Sequence, residues 1–382
     1  MAGIYIHIPF CKKACHYCNF HFSTSLSLKT AFVEALLQEI DLVGGSSSIP
    51  NKYLSDEQIE TVYFGGGTPS LLSADELAVI FSKLHSSYTI IPEAEITLEA
   101  NPDDITAGKL EEWKQAGINR LSIGVQSFFD TELRWMNRAH TAAQSIEAIR
   151  AAKQHGFDNI TIDLIYGTPG LTDEQWEQNI AQAIELEVPH LSCYALTVEP
   201  ATALNRMIEK NKSANVDPEK QAAQFIALMN KLEAAGYEHY EISNFAQRGK
   251  RSRHNSAYWQ GKQYAGLGPS AHSFNGHSRQ WNIANTALYI SSLNKGILPA
   301  ETELLTPTQQ LNEYIMTSLR TAEGLDLVHI DHRFGPESVK QIRTTIQKYQ
   351  RTGKVVLRQA RLQLTREGKL FADGIAADLF VV

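Results

Sequence analysis

Residues 4–18 read IYIHIPFCKKACHYC, a short alternating run that ends in three closely spaced cysteines. The run has the apolar and β-branched pattern of a strand, and Cys11, Cys15 and Cys18 follow it at the spacing C-x3-C-x2-C. The only other cysteine is Cys193, so the triplet is a ligand pattern and not a disulfide framework. The first strand therefore ends at a group of thiols.

Five further strand-like runs follow, at residues 60–66, 93–102, 119–128, 159–170 and 190–200. The helix-period segments between them, several of which open with a Ser or Thr cap, lie at residues 73–85, 106–116, 141–155 and 172–186. Repeated βα units of this length predict a parallel sheet with right-handed crossovers. Six units predict an α/β fold of the partial (β/α)6 TIM-like barrel type, with the chemistry in the loops that follow the strands.

Beyond a predicted helix at 217–235 the pattern changes twice. Residues 237–300 are rich in Gly, Ser, Asn, His and aromatic residues, which predicts an irregular connecting region. From Thr306 onward, two helical segments and the hairpin-like run VVLRQARLQLT predict a small winged-helix-like domain. We therefore expect a core barrel over 1–236, a connecting region, and a C-terminal domain over 301–382.

The composition argues against several classes of protein. A net charge of -7 and a pI near 6.0 argue against a protein that relies on nucleic-acid binding, which needs a basic surface. No long uninterrupted apolar run occurs, so we do not expect an integral membrane protein. The N-terminal alternation is too short and uncharged to be a secretory signal, which predicts a cytoplasmic protein.

The cysteine triplet suits a three-cysteine [4Fe–4S] cluster. Three thiolates can bind three irons of a cubane and leave the fourth iron open for S-adenosylmethionine, which chelates it through its amine and carboxylate. A zinc site completed by His7, His16 or His21 is the alternative that the spacing leaves open. The glycine-rich segment FGGGTPS after the second strand favours the cluster, because small residues let the backbone approach a ligand closely.

Several motifs together resemble one family. The segments CKKACHYC, FGGGTPS, LEANP, GVQSF, NRAH and DLIYGTPG are similar to the radical SAM family of oxygen-independent coproporphyrinogen III oxidases and their relatives, nearly end to end. The resemblance implies a [4Fe–4S] cluster and S-adenosylmethionine as cofactors. The S-adenosylmethionine-binding residues that it implies are Tyr5, Tyr17, Gly66, Gly67, Thr68 and Glu99, with Gln126, Arg138 and Asp163 around a neighbouring second S-adenosylmethionine site.

Two features depart from the oxidases. Those enzymes carry a further cysteine two residues after the triplet, where this sequence has Phe20. They also carry an N-terminal extension over the active site, which we do not expect here because the first strand begins almost at once. Both departures resemble the haem-chaperone branch of the family, in which the same core is retained without porphyrinogen decarboxylation.

The segment HNSAY at residues 254–258 resembles the HNxxY haem-binding motif of that branch. Because a neutral imidazole can ligate haem iron, His254 is the candidate ligand, and Tyr258 supplies a face for the macrocycle. The alternative is a loop histidine that makes an ordinary hydrogen bond. The basic residues of 248–253 predict either a site for the haem propionates or a solvated loop or contact with an acidic partner.

The leading hypothesis is a haem chaperone that binds haem and transfers it to haem-dependent proteins. The family resemblance suggests respiratory haem proteins as recipients, and the sequence leaves open whether the protein forms a homodimer. The alternative is an oxygen-independent coproporphyrinogen III oxidase, which performs radical decarboxylation to protoporphyrinogen IX. A zinc-stabilised interaction protein is a third. The sequence assigns no catalytic residue, and Cys193, within the alternating run LSCYAL, is expected to fill the core.

Overall fold

The computed structural model describes residues 2–44, 53–54 and 57–381. Six parallel strands form its centre, and neighbours in the sheet follow the order of the chain. They are β1 (Ala2–Ile8), β2 (Ile59–Gly66), β3 (Ile90–Ala100), β4 (Arg120–Gln126), β5 (Ile160–Tyr166) and β6 (His190–Ala195). All six predicted strands are present, and the α/β fold is confirmed.

Helices connect and flank these strands. They are α1 (Lys29–Gly44), α2 (Ala74–Ser87), α3 (Ala107–Gln115), α4 (Asp130–Trp135), α5 (Ala142–Gln154), α6 (Asp173–Glu185), α7 (Ala203–Glu209) and α8 (Pro218–Ala234). A capping box opens α2, where Ser73 and Glu76 each accept a hydrogen bond from the other's backbone N–H. Thr141 and Thr172 open α5 and α6 in the same way, with glutamine in place of the acid.

The main apolar core lies between the sheet and these helices. The side chains of Ile4, Ile6 and Ile8 are fully buried, as are Phe32 and Leu36 on α1 in the same core. The strands are largely buried on both faces, and polar side chains alternate with the apolar ones: Ser122 and Thr161 are buried on the strands that carry Ile123 and Ile162. The six strands therefore form a rigid base, and the loops at their carboxyl ends share one edge of it.

The segment after α8 is not irregular, so the prediction for 237–300 is wrong in its secondary structure. It contains β7 (Glu238–Glu241), β8 (Asn244–Ala246), α9 (Arg253–Trp259), β9 (Tyr264–Leu267), β10 (His272–Phe274), β11 (Ser278–Asn282), α10 (Thr286–Leu293) and β12 (Ala300–Leu304). Strand β9 runs parallel beside β1, and β8 runs antiparallel beside β6. Within the described ranges the sheet therefore has twelve strands in one open row that does not close into a barrel.

A second apolar core belongs to the C-terminal residues. Its elements are α11 (Pro307–Leu319), β13 (Leu325–Asp326), α12 (Leu327–Phe334), α13 (Pro336–Arg351), β14 (Val355–Arg358), β15 (Arg361–Leu364), α14 (Arg366–Lys369) and α15 (Ala372–Leu379). The two predicted helices and the hairpin are present, whereas β13, α12, α14 and α15 were not predicted. The separate core agrees with a C-terminal domain, and the domain boundaries at 236 and 300 stay predictions.

None of the helices in the described part of the chain is both long enough and apolar enough to cross a membrane.

Candidate cofactor site

One cavity lies where the loops and carboxyl-terminal ends of β1 to β5 meet. The predicted residues that line it are Cys11, Cys15, Tyr17, Cys18, Gly66, Gly67, Thr68, Glu99, Gln126, Arg138 and Asp163. Tyr5 is not among them, because its ring stacks on Tyr63 and its hydroxyl lies 3.3 Å from Nδ1 of His7. The structure thus brings together every predicted cluster and S-adenosylmethionine residue except Tyr5.

The cysteine loop is held by contacts to the chain after α4. The backbone N–H of Cys11 donates to the Ser23 carbonyl (3.0 Å), which fixes the start of the loop. The Asn137 side chain donates to the Ala14 carbonyl (2.8 Å), and Nδ1 of His16 lies 2.7 Å from the Trp135 carbonyl oxygen. The three thiols are therefore presented to the cavity by a loop that is held at its start and in its middle.

Each of the three histidines of the alternative zinc site makes a hydrogen bond to an atom outside the cysteine group. His16 contacts a backbone carbonyl, Nε2 of His7 lies 2.8 Å from the His21 carbonyl, and Nε2 of His21 lies 3.0 Å from the Thr286 hydroxyl. Across residues 2–44, 53–54 and 57–381, no three His, Cys, Asp or Glu side chains are arranged to hold a single metal ion. A cubane takes one thiolate on each of three irons, so the donor set of this loop fits a cluster better than zinc.

Burial and the charge of Arg138 act in opposite directions on the thiol pKa values. Burial raises the pKa of Cys11 to about 11 and raises the pKa of Cys18, so neither thiol ionises readily by itself. Arg138 counters this effect, since its guanidinium Nη1 donates to the Cys15 sulfur at 3.4 Å. A metal centre with several positive charges displaces such protons, and the buried arginine then neutralises part of the negative charge of the thiolates.

Arg138 and Gln126 present polar atoms without partners at the cavity. Nη2 of Arg138 donates to the Asn101 side chain (2.6 Å) and to the Gly124 carbonyl (2.8 Å), but its Nε is buried and unpaired within the described chain. Oε1 of Gln126 is likewise buried and unpaired there, and Gln126 has a φ of 60° next to an irregular step in the pairing of β4 with β5. Unsatisfied polar atoms and a strained backbone at one cavity fit a polar ligand such as S-adenosylmethionine.

Asn101 is a site residue that the sequence reasoning did not select. Its side chain accepts from Arg138 and donates to the Thr68 hydroxyl (3.3 Å), so it connects two predicted residues. The available signal was its place in LEANP, directly after the third strand.

Two carboxyl groups of the cavity have perturbed titration. Burial, together with the nearby charge of Asp163, raises the pKa of Glu99 to about 8 against the opposing effect of the hydrogen bond that the Tyr63 hydroxyl donates to Glu99 at 2.8 Å. Burial also raises the pKa of Asp163 to about 6, against the opposing effects of a hydrogen bond with Ser192 and the charge of Arg138. Two carboxyl groups with raised pKa values in a cleft are typical of a functional site.

Gly67 stands where the second loop touches the first. A Cβ on Gly67 would lie 2.6 Å from the Phe10 carbonyl oxygen and 2.7 Å from that of Ile8. We expect Gly67→Ala to lower the free energy of unfolding by about 1–3 kcal/mol, because the backbone around it must shift. A Cβ on Gly108 in α3 meets nothing within 4 Å, so Gly108→Ala is the matched control and should be neutral or stabilising. Equal unfolding midpoints in urea for the two variants would contradict the crowding argument.

His254 and Tyr258 lie away from this cavity. His254 is 2% exposed; its Nδ1 lies 2.8 Å from the hydroxyl of Thr61, near the start of β2, and its Nε2 lies 3.0 Å from the Tyr258 hydroxyl. Its backbone N–H donates to Glu95 (3.0 Å), midway along β3. Both ring nitrogens are therefore engaged at the amino ends of the strands, as the hydrogen-bond alternative expected. In this conformation His254 offers no free nitrogen to haem iron.

The basic residues before it also make contacts within the chain. Arg251 pairs with Glu238 (3.1 Å) and Glu323 (2.7 Å), and Nη1 of Arg253 donates to the Glu93 carbonyl (2.7 Å). These contacts dock α9 and the C-terminal domain onto the sheet, which is a structural role for the two residues.

The structure also places Cys193 and Phe20, two residues that the sequence analysis discussed singly. Cys193 is 1% exposed within the main core, which confirms it as a core residue. Phe20 is 64% exposed and lines the cavity beside the cysteine loop, at the position where the oxidases carry another cysteine. That position therefore adds no thiol to the site.

Similarity to known proteins defines the class. The sequence model of the Radical SAM superfamily matches residues 5–183, and that of the HemN C-terminal domain matches residues 305–371. The fold is that of coproporphyrinogen III oxidase (HemN) from Escherichia coli, a radical SAM enzyme, with a TM-score of 0.85 over 100% of this chain and 90% of that one at 23% identity. This chain is a radical SAM protein.

Curated relatives define the family more narrowly. The chain is 33% identical to "Heme chaperone HemW" of Bacillus subtilis over 379 residues, which cover 98% of both chains. It is also 33% identical to "Heme chaperone HemW" of Mycobacterium tuberculosis over 382 residues, which cover 99% of this chain and 94% of that one. The chain belongs to the HemW family.

Proposed function

We propose that this protein is a haem chaperone, which binds haem and transfers it to haem-dependent proteins. The observation that carries the proposal is similarity over the full length, at 33% identity, to proteins named as haem chaperones. The exposed Phe20 at the cavity supports it, because this position lacks the further thiol found in the oxidases.

The cofactors that we propose are a [4Fe–4S] cluster on Cys11, Cys15 and Cys18 and S-adenosylmethionine beside it. The unpaired polar atoms of Gln126 and Arg138 support a polar ligand in this cavity. When bound, the cluster supplies one-electron chemistry toward the sulfonium of S-adenosylmethionine. The chain itself contributes the fixed cysteine loop, a buried cation and two carboxyl groups that take up or release a proton near neutral pH.

The remaining parts of the proposal concern the cell. Cytoplasmic location, respiratory haem proteins as recipients, and a homodimer as one assembly state extend it. Size-exclusion chromatography with light scattering, on the protein with and without its cluster, tests the dimer: a mass of 42.6 kDa in both states would contradict it.

Haem binding is the direct test. Titration of the anaerobically reconstituted protein with haem should give a Soret difference spectrum that saturates at about one haem per chain, because a single binding site on each chain holds one haem. Iron-free protoporphyrin IX is the control for adsorption to apolar surface, and it should bind more weakly since it lacks the ligated metal. Transfer is then measured by mixing the haem-loaded protein with an apo haem protein and separating the two. A linear, unsaturable titration would contradict the proposal.

A second candidate is an oxygen-independent coproporphyrinogen III oxidase. It is favoured by one observation, the assembly of Glu99, Gln126, Arg138 and Asp163 around the cysteine cavity. The test is anaerobic incubation of the reconstituted, reduced protein with coproporphyrinogen III and S-adenosylmethionine. We expect no protoporphyrinogen IX, and product formation by the wild type would decide for the enzyme.

A further inference from the structure

A second cavity lies between the antiparallel part of the large sheet and the C-terminal domain. It is separate from the cysteine cavity and shares no lining residue with it. Ring-bearing side chains line much of it, among them Tyr258, Tyr264, Phe274, Tyr314, His329 and Phe334. Such a density of rings suits a planar aromatic ligand.

The rings come from two parts of the chain. From the sheet side, Tyr264 packs edge-on against Tyr258 with ring centroids 4.6 Å apart, and lies 6.1 Å from Phe274. From the C-terminal domain, the ring of His329 lies 4.5 Å from Tyr314 and 6.4 Å from Phe334. One cluster of aromatic rings from the sheet side and one from the C-terminal domain therefore bound the cavity.

His329 stands on the first turn of α12 with its ring available. Its backbone N–H is held by the Asp326 side chain at 3.2 Å, which fixes the position of the residue. Its side chain is exposed, and in the part of the chain that the structure describes its ring nitrogens take no hydrogen bond. Partial burial and the charge of Arg333 lower its pKa, so the imidazole is neutral at pH 7. A neutral, unengaged imidazole is a competent iron ligand.

Two arginines at the same cavity suit acidic substituents. Arg333 donates to the Gln310 side chain (2.8 Å) and lies over the Phe334 ring, while Arg279 pairs with Glu313 at 3.0 Å. Nε of Arg279 is buried without a partner among the described residues. Arg279 keeps an unpaired Nε beside its pair with Glu313, and Arg333 pairs with no carboxylate in the described chain, so both guanidinium groups have hydrogen-bonding capacity left for a carboxylate.

The contrast with His254 decides between the two histidines. Both of its ring nitrogens are engaged and it is 2% exposed, whereas His329 is exposed and its ring has no hydrogen bond within residues 2–44, 53–54 and 57–381. Tyr258, which follows His254 in the HNSAY segment, does line the second cavity. The motif therefore contributes to this cavity through its aromatic end.

We propose that the cavity between the sheet and the C-terminal domain binds haem, with His329 as the axial ligand and Arg279 and Arg333 beside the propionates. This proposal rests on the proposed haem-chaperone function and assigns its site. A planar ring system, one open iron coordination position and two carboxylates match the aromatic rings, the imidazole and the two guanidinium groups of the cavity.

The test is haem titration of the full-length, reconstituted protein and its His329→Ala variant. We expect the variant to bind haem about tenfold more weakly or worse, with a shifted Soret band that added imidazole restores. The matched control is His332→Ala, one turn further along the same helix, exposed and outside the cavity lining. The control should bind haem as the wild type does, because its ring does not reach the cavity.

A second measurement compares the binding of haem with that of haem dimethyl ester, for the wild type and for Arg333→Gln. Haem dimethyl ester carries no propionate charge, so we expect the wild type to bind it more weakly than haem. We expect Arg333→Gln to bind haem and the ester about equally. If the wild type binds haem stoichiometrically but His329→Ala keeps its spectrum and affinity, the site assignment is overturned and the chaperone function stands. If the wild type does not bind haem with a defined capacity, the proposed function itself fails. Equal binding of haem and its ester to the wild type would overturn the role of the arginines.

Discussion

Replacing Cys15 with serine is expected to abolish the iron–sulfur cluster. After anaerobic reconstitution, the wild type should hold about four irons and four sulfides per chain, and Cys15→Ser close to none, because two thiolates do not retain a cubane that needs three. Cys15 is also the thiol to which Arg138 donates, so its loss removes one hydrogen-bond partner of the buried cation, which keeps its bonds to Asn101 and the Gly124 carbonyl. Iron and sulfide analysis, together with the visible absorption of the cluster, measures the effect.

The matched control for this experiment is Cys193→Ala. Cys193 is 1% exposed in the main core and belongs to no ligand group, so the variant should keep the full iron and sulfide content with only a modest loss of stability. Retention of the cluster in Cys15→Ser would contradict the assignment of the triplet. Stoichiometric zinc, with neither iron nor sulfide, would contradict it in favour of the alternative metal site.

Arg120→Met is expected to cause the largest loss of stability. Arg120 is 2% exposed at the start of β4; its Nη1 donates to Asn159 (2.8 Å), it also donates to the Thr161 hydroxyl, and its Nε lies 3.9 Å from the Glu95 carboxylate. Removal of this guanidinium leaves the Glu95 charge buried without its counter-ion, which costs about 3–5 kcal/mol of unfolding free energy. Thermal and urea unfolding followed by circular dichroism measures the change.

Two further variants isolate the ion pair. Arg134→Met removes an exposed arginine from α4 and should change the unfolding free energy by less than about 0.5 kcal/mol. Arg120→Met combined with Glu95→Gln should recover part of the loss, because the amide carries no buried charge, although its single oxygen can accept only one of the two backbone N–H groups that Arg253 and His254 donate to Glu95. A double variant as unstable as Arg120→Met alone would show that packing, and not charge, sets the stability here.

Much of the fold was readable because local signals and tertiary contacts agree. The parallel strands alternate apolar and polar residues at the strand period, and helices such as α2, which begins after Ser73, open with a hydrogen-bonded cap that is visible in four residues of sequence. The strands of 264–304 were missed because their pairing is non-local: Tyr264 pairs with Gly3, far away along the chain. Short strands with mixed polarity carry little signal of their own.

The structure gathers most of the residues selected from the sequence around the cysteine cavity, because they follow strands at motif positions. The two outliers both depend on packing that no spacing reveals. Tyr5 faces Tyr63 and His7 and not the cavity, and His254 is enclosed by Thr61 and Glu95 from strands remote in sequence. A family resemblance predicts which residue occupies a motif position, but the direction of its side chain depends on its neighbours in space.

The late strands have a consequence for how the chain folds. The outer hydrogen-bonding groups of β1 are covered by β9, and those of β6 by β8, so no strand of the parallel core is an exposed edge among the residues described. Unpaired edges invite aggregation through intermolecular pairing. Because β9 is synthesised long after β1, the nascent chain carries one unprotected edge, next to its three free thiols, until residues 264–267 emerge from the ribosome. Cluster insertion before that point would occur on a sheet that is still open to other chains.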